Sequence, residues 1–177
     1  MKPILLEGFS LRPPQEGDEE SLPIHANNPN IAKFLSDQFP QPYTMNDARK
    51  WIDSIRKMKN LPTQFAIVIA NQAVGGIGFN LQQDIYYRSA ELGYWLGEDY
   101  WGRGIISQAI PAVVHYAFDN FDICRIFALV FDENLASAKA LEKTGFQLEG
   151  RFKMAATKNG KTLDERVYAI VREERAS

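Results

Sequence analysis

The sequence is poor in the residues that build metal centres and covalent cross-links. Cysteine occurs once, as Cys124, and histidine twice, as His25 and His115. One cysteine makes no intramolecular disulfide, and no cysteine cluster is present for zinc or iron–sulfur. Cys124 lies in the apolar run 123–130, where a thiol reads as buried and inert, with a reactive thiol as the alternative. The histidines are far apart in sequence. Each reads as a solvated or hydrogen-bonded helix residue, and no metal site is expected. An excess of one charge is also missing. The chain has 20 Lys+Arg against 22 Asp+Glu, a net charge of −2, without the cation surplus that sequence-independent nucleic-acid binding requires. No apolar run approaches the ~20 residues of a membrane-spanning helix. The N-terminal stretch Ile4-Leu5-Leu6 is too short for a signal peptide. The expectation is a cytoplasmic protein that engages neither nucleic acid nor membrane. It shows no internal repeat and no low-complexity tract.

What is present is the composition of a globular domain: 177 residues, 45% hydrophobic and 24% charged. That length predicts one domain, 1–177, able to bury a sizeable core. Residues 8–12 alternate as a short strand, ended by Pro13-Pro14. Residues 16–27 read as a helix whose acidic head (Glu16, Asp18, Glu19, Glu20) suits the positive end of the dipole better than a metal. Pro29 interrupts the chain, and 30–36 adds a further helical turn or two. Thr44 is a plausible N-cap for an amphipathic helix over 45–59, with Ala48, Trp51, Ile52, Ile55 and Met58 on one face. Its basic residues Arg49, Lys50, Arg56, Lys57 and Lys59 read as a solvated face, with attraction of an acidic partner as the alternative. Strands follow at 65–70, 73–81 and 89–96, with a turn at Asn71-Gln72. These connections are too short for parallel crossovers, so they form an antiparallel meander. Gly75, Gly76 and Gly78 either weaken the second of these strands or permit close backbone approach.

Residues 105–121 carry a wide apolar helical stripe interrupted by Pro111, where a bend is expected. Residues 123–130 are a strand, parallel to 89–96 across that helix. A helix over 134–144 closes at Gly145, and 146–156 with 162–171 forms a hairpin around Asn159-Gly160. The fold class is therefore α/β, with one mixed sheet of about seven strands flanked by helices.

The strongest local signal is the strand–turn–helix at 91–110. Gly102 and Gly104 open a helix directly after a strand, where free backbone N–H groups and the dipole favour phosphate. Spacing alone leaves a ligand-free structural turn equally open. No Walker Gly-Lys-Ser/Thr follows, and the third glycine of a dinucleotide fingerprint is missing.

The stretch Ala90-Glu-Leu-Gly-Tyr-Trp-Leu-Gly-Glu-Asp-Tyr-Trp-Gly-Arg-Gly-Ile-Ile-Ser-Gln-Ala109 resembles the cofactor motif of the GNAT superfamily of acetyl-CoA-dependent N-acetyltransferases. Asn134-Leu-Ala-Ser-Ala-Lys-Ala-Leu-Glu-Lys-Thr-Gly-Phe146 is similar to a signature of the Rim-type branch, which acetylates ribosomal-protein N-termini. Leu148-Glu-Gly150 through Asn159-Gly160 to Tyr168 looks like that branch's closing hairpin. Arg12 and Pro42-Tyr43-Thr44 with Asp47-Ala48 also fit. The resemblance spans about 9–171. Some Rim-type members carry an acidic residue shortly before the Asn-Gly turn, where this chain has Ala156.

The resemblance implies a mostly antiparallel GNAT sheet, splayed between its fourth and fifth strands. It implies acetyl-CoA as cosubstrate, with the pyrophosphate on the turn Trp101, Gly102, Arg103, Gly104, Ile106 and Ser107. Pantetheine would bond the backbone of Trp95, Leu96 and Gly97, and an N–H near Leu96 would face the thioester oxygen. Asn134 would bond pantetheine, or act as a plain N-cap. Lys139 or Lys143 would meet the 3′-phosphate, or be solvated. Glu91 is the candidate base, with a structural carboxylate as the alternative. Ser137 is the first candidate acid and a tyrosine the second. Tyr94, Trp95, Tyr100 and Trp101 are packing residues or line a substrate channel. The acceptor is a primary amine, of a protein N-terminus or a small molecule. The segments 39–43, 45–59 and 152–163 are expected to shape its pocket. A homodimer is a family-level expectation. The competing reading is a catalytically silent acyl-CoA sensor; retention of Glu91, Asn134 and Ser137 together favours the enzyme.

Overall fold

The computed structural model describes residues 1–58 and 60–172. Lys59, read above as the last residue of the amphipathic helix, lies outside the described residues. The elements are β1 (Ile4–Leu6), β2 (Phe9–Arg12), α1 (Asp18–Ala26), α2 (Pro29–Ala32), α3 (Met45–Arg56), β3 (Gln64–Ile69), β4 (Gln72–Leu81), β5 (Ser89–Leu96), α4 (Ile105–Asn120), β6 (Arg125–Phe131), α5 (Leu135–Lys143), β7 (Gln147–Lys158) and β8 (Lys161–Val171). The strands form one open mixed sheet in the order β1-β2-β3-β4-β5-β6-β8-β7. There are eight strands among the described residues rather than about seven. The addition is β1, whose apolar triplet pairs with Phe9–Leu11 across a turn at Gly8, φ +79°. The chain divides into two compact units. One is Met1–Gly78 with Tyr94–Ala109; the other is Phe79–Gly93 with the described residues from Ile110 onward.

In the first unit, Thr44 caps α3 in a reciprocal box with Asp47, and Ala48, Ile52 and Ile55 are buried. Three of the basic residues on α3 have partners within the chain, Lys50 with Asp47 of the same helix at 3.7 Å. Arg49 lies 3.8 Å from Glu19 and Arg56 3.5 Å from Glu16, so the acidic head of α1 and the basic face of α3 tie these helices together. Asp18 has a third use. It is buried and takes both guanidinium nitrogens of Arg12 at 2.7 Å, plus the Gln15 amide at 2.9 Å. Pro29 opens a helix rather than breaking one. It is the first residue of α2, where its missing N–H is harmless, and the Asn28 side chain caps the Asn30 amide at 2.8 Å. The β3–β4 turn falls on Ala70 (φ +47°) and Asn71 (φ +66°), one residue earlier than the sequence pattern suggests, because Ile69 pairs with Gln72. The glycines of β4 answer close approach. A Cβ on Gly75 would sit 2.6 Å from the Trp95 carbonyl oxygen, and one on Gly76 2.8 Å from the Trp95 indole nitrogen.

In the second unit, β5 and β6 run parallel, as a strand pair joined through a helix should. Their ladder ends at Glu91↔Phe127, although β5 continues to Leu96 and β6 to Phe131. On β6, Ile126, Ala128 and Val130 are buried while the alternate residues are not, the period-two pattern of a strand with one covered face. The β7–β8 hairpin closes at Asn159 (φ +51°) and Gly160 (φ +75°), the two left-handed positions of a type I′ turn. The helix α5 ends at Gly145 (φ +93°), where the Phe146 amide bonds the Leu141 carbonyl at 3.1 Å. The buried Tyr168 hydroxyl of β8 donates to Glu142 of α5 at 2.9 Å. Cys124 is half-buried, its sulfur 3.7 Å from the Arg88 carbonyl oxygen. His115 is exposed and pairs with Asp119 at 3.1 Å. Among the described residues no helix is long and apolar enough to cross a membrane.

Candidate active site

The turn between β5 and α4 is held by a closed set of bonds. The Gly97 amide donates to the Val74 carbonyl at 2.8 Å, and the Gly97 carbonyl accepts from the Tyr100 amide at 3.0 Å. The Trp101 indole N–H donates to the Leu96 carbonyl at 2.8 Å. Glu98 is held by Asn28 and Asn30, which keep its carboxyl below the usual range. The Arg103 guanidinium bonds the Asp99 carbonyl at 2.7 Å and lies over the Tyr100 ring at 5.2 Å. Tyr100 in turn meets His25 edge-on at 5.5 Å, and burial holds that imidazole below its ordinary pKa. Of the three backbone segments expected to meet pantetheine, the N–H of Gly97 and the carbonyl of Leu96 are therefore already used within the chain. The side chains of Trp101 and Arg103 brace the turn.

That bracing presents a backbone cradle. Gly102 (φ +73°) and Gly104 (φ +75°) hold left-handed conformations, and a Cβ on either would meet nothing within 4 Å. The glycines are thus demanded by backbone conformation, and the space beside them stays open. The first bond of the following helix is donated by Gln108 to the Gly104 carbonyl at 3.2 Å. The amides of Ile105, Ile106 and Ser107 precede that ladder, at the positive end of a 16-residue helix. Such a cradle fits a pyrophosphate.

The second unit holds titratable candidates of its own. Glu91 is half-buried on β5, and among the described residues its carboxyl has no hydrogen-bond or ion-pair partner. Burial first, and then the charge of Glu165, push its pKa up. Glu165 on β8 is also half-buried, without a partner among the described residues, and pushed up by burial. Sequence reasoning missed Glu165, because only strand register reveals which residues of Asp164-Glu165-Arg166 share a face. Asn134 caps α5, its side-chain oxygen accepting from the Ser137 amide at 3.2 Å. The Nδ2 of Asn134 stays available to a ligand acceptor, and its Oδ1 keeps a second lone pair. Ser137 is half-buried and Lys139 exposed, both on α5.

Aromatics pack as a group in the first unit. Phe39, Tyr43 and Trp95 have ring centroids 5.0 to 6.4 Å apart against a core of Leu22, Ala26, Ala48 and Ile52. Trp95 is thus a packing residue of β5. Burial, with Asp47 second, pushes the Tyr43 phenol up to about 12, so it stays protonated across the working range.

Residues 9–147 match the family model for the acetyltransferase (GNAT) domain. The chain belongs to the GNAT acetyltransferase family. It is 28% identical to an uncharacterized N-acetyltransferase p20 of Bacillus licheniformis, over 99% of each chain. It is 30% identical to the ribosomal-protein-serine acetyltransferase of Escherichia coli (strain K12), over 86% of this chain and 93% of that one. Among solved structures it is similar to RimL, a ribosomal L7/L12 α-N-protein acetyltransferase in complex with coenzyme A. The TM-score is 0.83 at 25% identity, over 96% of this chain and 98% of that one. The GNAT family makes the chain an acyltransferase, and the expected fold, one mixed sheet flanked by helices, is the one observed.

Proposed function

We propose that this GNAT acetyltransferase moves an acetyl group from acetyl-CoA to a primary amine by direct transfer, with Glu91 as the base. The observation that carries this reading is Glu91 itself. It is a half-buried carboxylate without a cationic partner among the described residues, on the strand that leads into the glycine turn. Its raised pKa makes it a stronger base than an exposed glutamate, while at neutral pH a carboxylate remains able to accept a proton. Acetyl-CoA supplies an activated thioester carbonyl. The amides of Ile105, Ile106 and Ser107 would hold its pyrophosphate, as helix N-termini hold anions. Lys139 and the Nδ2 of Asn134 are the further contacts we assign to it. The transfer forms a bond from the amine nitrogen to the acetyl carbon and breaks the carbon–sulfur bond. One amine proton goes to Glu91, and the sulfur leaves as a thiol after taking a proton, for which Ser137 is our first candidate and a tyrosine our second.

An acceptor must be neutral at nitrogen to attack. An α-amine, with a pKa of ~7.7–8.0, is partly neutral at physiological pH, whereas an alkylamine near ~10.4 needs the base more. Both the E. coli relative and RimL are named for protein acetylation, which supports a protein N-terminus, and a small-molecule amine is the second class. A silent sensor is favoured by no observation. Thermal unfolding with and without acetyl-CoA tests the donor side first. Ligand at ~100 Kd stabilises by about 2.7 kcal/mol. No shift at millimolar acetyl-CoA removes the donor assignment. A shift without CoA release across α-amines and alkylamines removes the transferase assignment.

A further inference from the structure

The sheet registers of the second unit place Glu91 and Glu165 on one face. Glu91 pairs with Phe127, Leu129 with Val167, and Phe131 with Glu165, and paired residues point the same way. On that face, Phe127, Leu129 and Phe131 run along β6 between the two glutamates. Leu129 is 41% exposed. Phe152, opposite Glu165 on β7, is 50% exposed and extends the apolar strip. Two arginines of the hairpin do not share this face, and Lys161, which by alternation along β8 does, is held by Glu133 at 2.6 Å. Arg151 and Arg166 pair with each other's positions and with Val130, so they project to the opposite side, where Asp132 and Asp164 hold them. Arg125, on the same face as Glu91, is bound by Glu149 at 2.7 Å. Each of the acidic residues Asp132, Asp164, Glu149, Glu133 and Glu142 has an arginine, lysine or tyrosine partner. Among the described residues, Glu91 and Glu165 have none.

We propose that Glu165 selects the acceptor: it holds a second cationic group of the substrate, while Glu91 takes the proton from the reacting amine. This rests on the transferase reading above and names the acceptor class within it. Two uncompensated carboxylates joined by an apolar strip are complementary to two ammonium groups joined by an alkyl spacer. The four-residue step from Phe127 to Phe131 is roughly 13 Å of strand, and β5 and β8 flank β6 at about 4.8 Å on either side; the reach of both side chains shortens that diagonal and sets the spacer at several methylenes. A monoamine leaves one charge unpaired on a half-buried face.

The test uses full-length protein, acetyl-CoA, and α,ω-diamines of four to eight carbons against n-alkylamines of the same lengths, read as CoA release. The expected result is at least a tenfold higher kcat/KM for the best diamine over its monoamine. Glu165→Gln should reduce that ratio about tenfold, through the KM of the diamine. Glu165→Lys, a solvent-compatible reversal, should abolish the preference. A ratio near one in the wild type, or a ratio unchanged in Glu165→Gln that still unfolds cooperatively, overturns the proposal. If acetyl-CoA raises the Tm and n-alkylamines or α-amino peptides are acetylated while diamines are not, the acceptor class fails and the transferase reading stands. If acetyl-CoA shifts nothing and no amine releases CoA, both fall.

Discussion

The glycine turn of the first unit and the open face of the second reach functional surfaces by opposite means. Around Gly97–Gly104 nearly every named polar group has a partner inside the chain: Gly97 with Val74 and Tyr100, Trp101 with Leu96, Arg103 with Asp99, and Glu98 with Asn28 and Asn30. What is offered outward is backbone, the amides that open α4. On the face of β5, β6 and β8 the backbone is spent in ladders, and what is offered is side chain: two carboxylates without a cationic partner among the described residues. A rigid polyanion suits the first kind of surface, because fixed dipoles need no reorganisation. Proton transfer needs the second, because only a titratable group can change charge.

The largest expected effect breaks the titratable side. Glu91→Gln removes the proposed acceptor of the amine proton and should lower kcat by about 10²–10⁴-fold. The KM for acetyl-CoA and the acetyl-CoA-induced Tm shift should stay as they are. An unchanged kcat and pH–rate profile would show that Glu91 is only structural. Next comes the backbone side. Gly104→Val forces an L-residue to φ +75°, at a cost of roughly 1–2 kcal/mol. It should lose most of the acetyl-CoA-induced Tm shift, since the added side chain enters the open space beside the cradle. Gly75→Ala is the control: it clashes with the Trp95 carbonyl at 2.6 Å, so it should lower Tm, with the ligand-induced shift retained. A smaller effect follows from Trp101→Phe. It removes one hydrogen bond, worth about 1 kcal/mol, and should raise the KM for acetyl-CoA a few-fold with little change in kcat.

The same contrast explains what can be read from sequence. The backbone side is legible because left-handed positions require glycine, and Gly102, Gly104, Gly145 and Asn159-Gly160 all stand where the chain adopts φ > 0. The parallel return of β6 follows from a helix-length connection. What escapes is decided by partners distant in sequence. The triplet Ile4–Leu6 is a strand only because β2 lies beside it. Pro29 reads as an interruption because its place at the first turn of a short helix depends on Asn28 as a cap. The acidic head of α1 and the basic face of α3 each look solvated in sequence, yet Glu16 and Glu19 are counterions of Arg56 and Arg49. Glu91 is found through the motif around it, whereas Glu165 carries no local signal. Its neighbours Asp164 and Arg166 are equally charged, and only register puts them on the other face with Asp132 and Arg151.

The smallest effect sharpens the comparison most, because it separates a functional carboxylate from a stabilising one. Burial raises the pKa of Glu165, and the same carboxyl raises that of Glu91. A carboxylate whose folded pKa lies above its unfolded value favours the folded state while both forms are protonated. That advantage is lost as pH rises through the folded pKa, and at neutral pH the charge opposes folding. Glu165→Gln should therefore raise the Tm slightly at pH 7–8, and the gain should vanish as pH falls below the unfolded value near ~4.3. Glu91→Gln should behave alike, and the double variant should gain less than the sum, because each substitution removes the same repulsion. The paired carboxylates of the first unit give the opposite sign. Asp47 is held below its usual range by the Thr44 hydroxyl and amide, so Asp47→Asn should lower the Tm at neutral pH, and the loss should shrink in acid. A Tm for Glu165→Gln that falls at neutral pH would mean that this carboxyl has a cationic partner in solution and contributes to stability instead of waiting for a ligand.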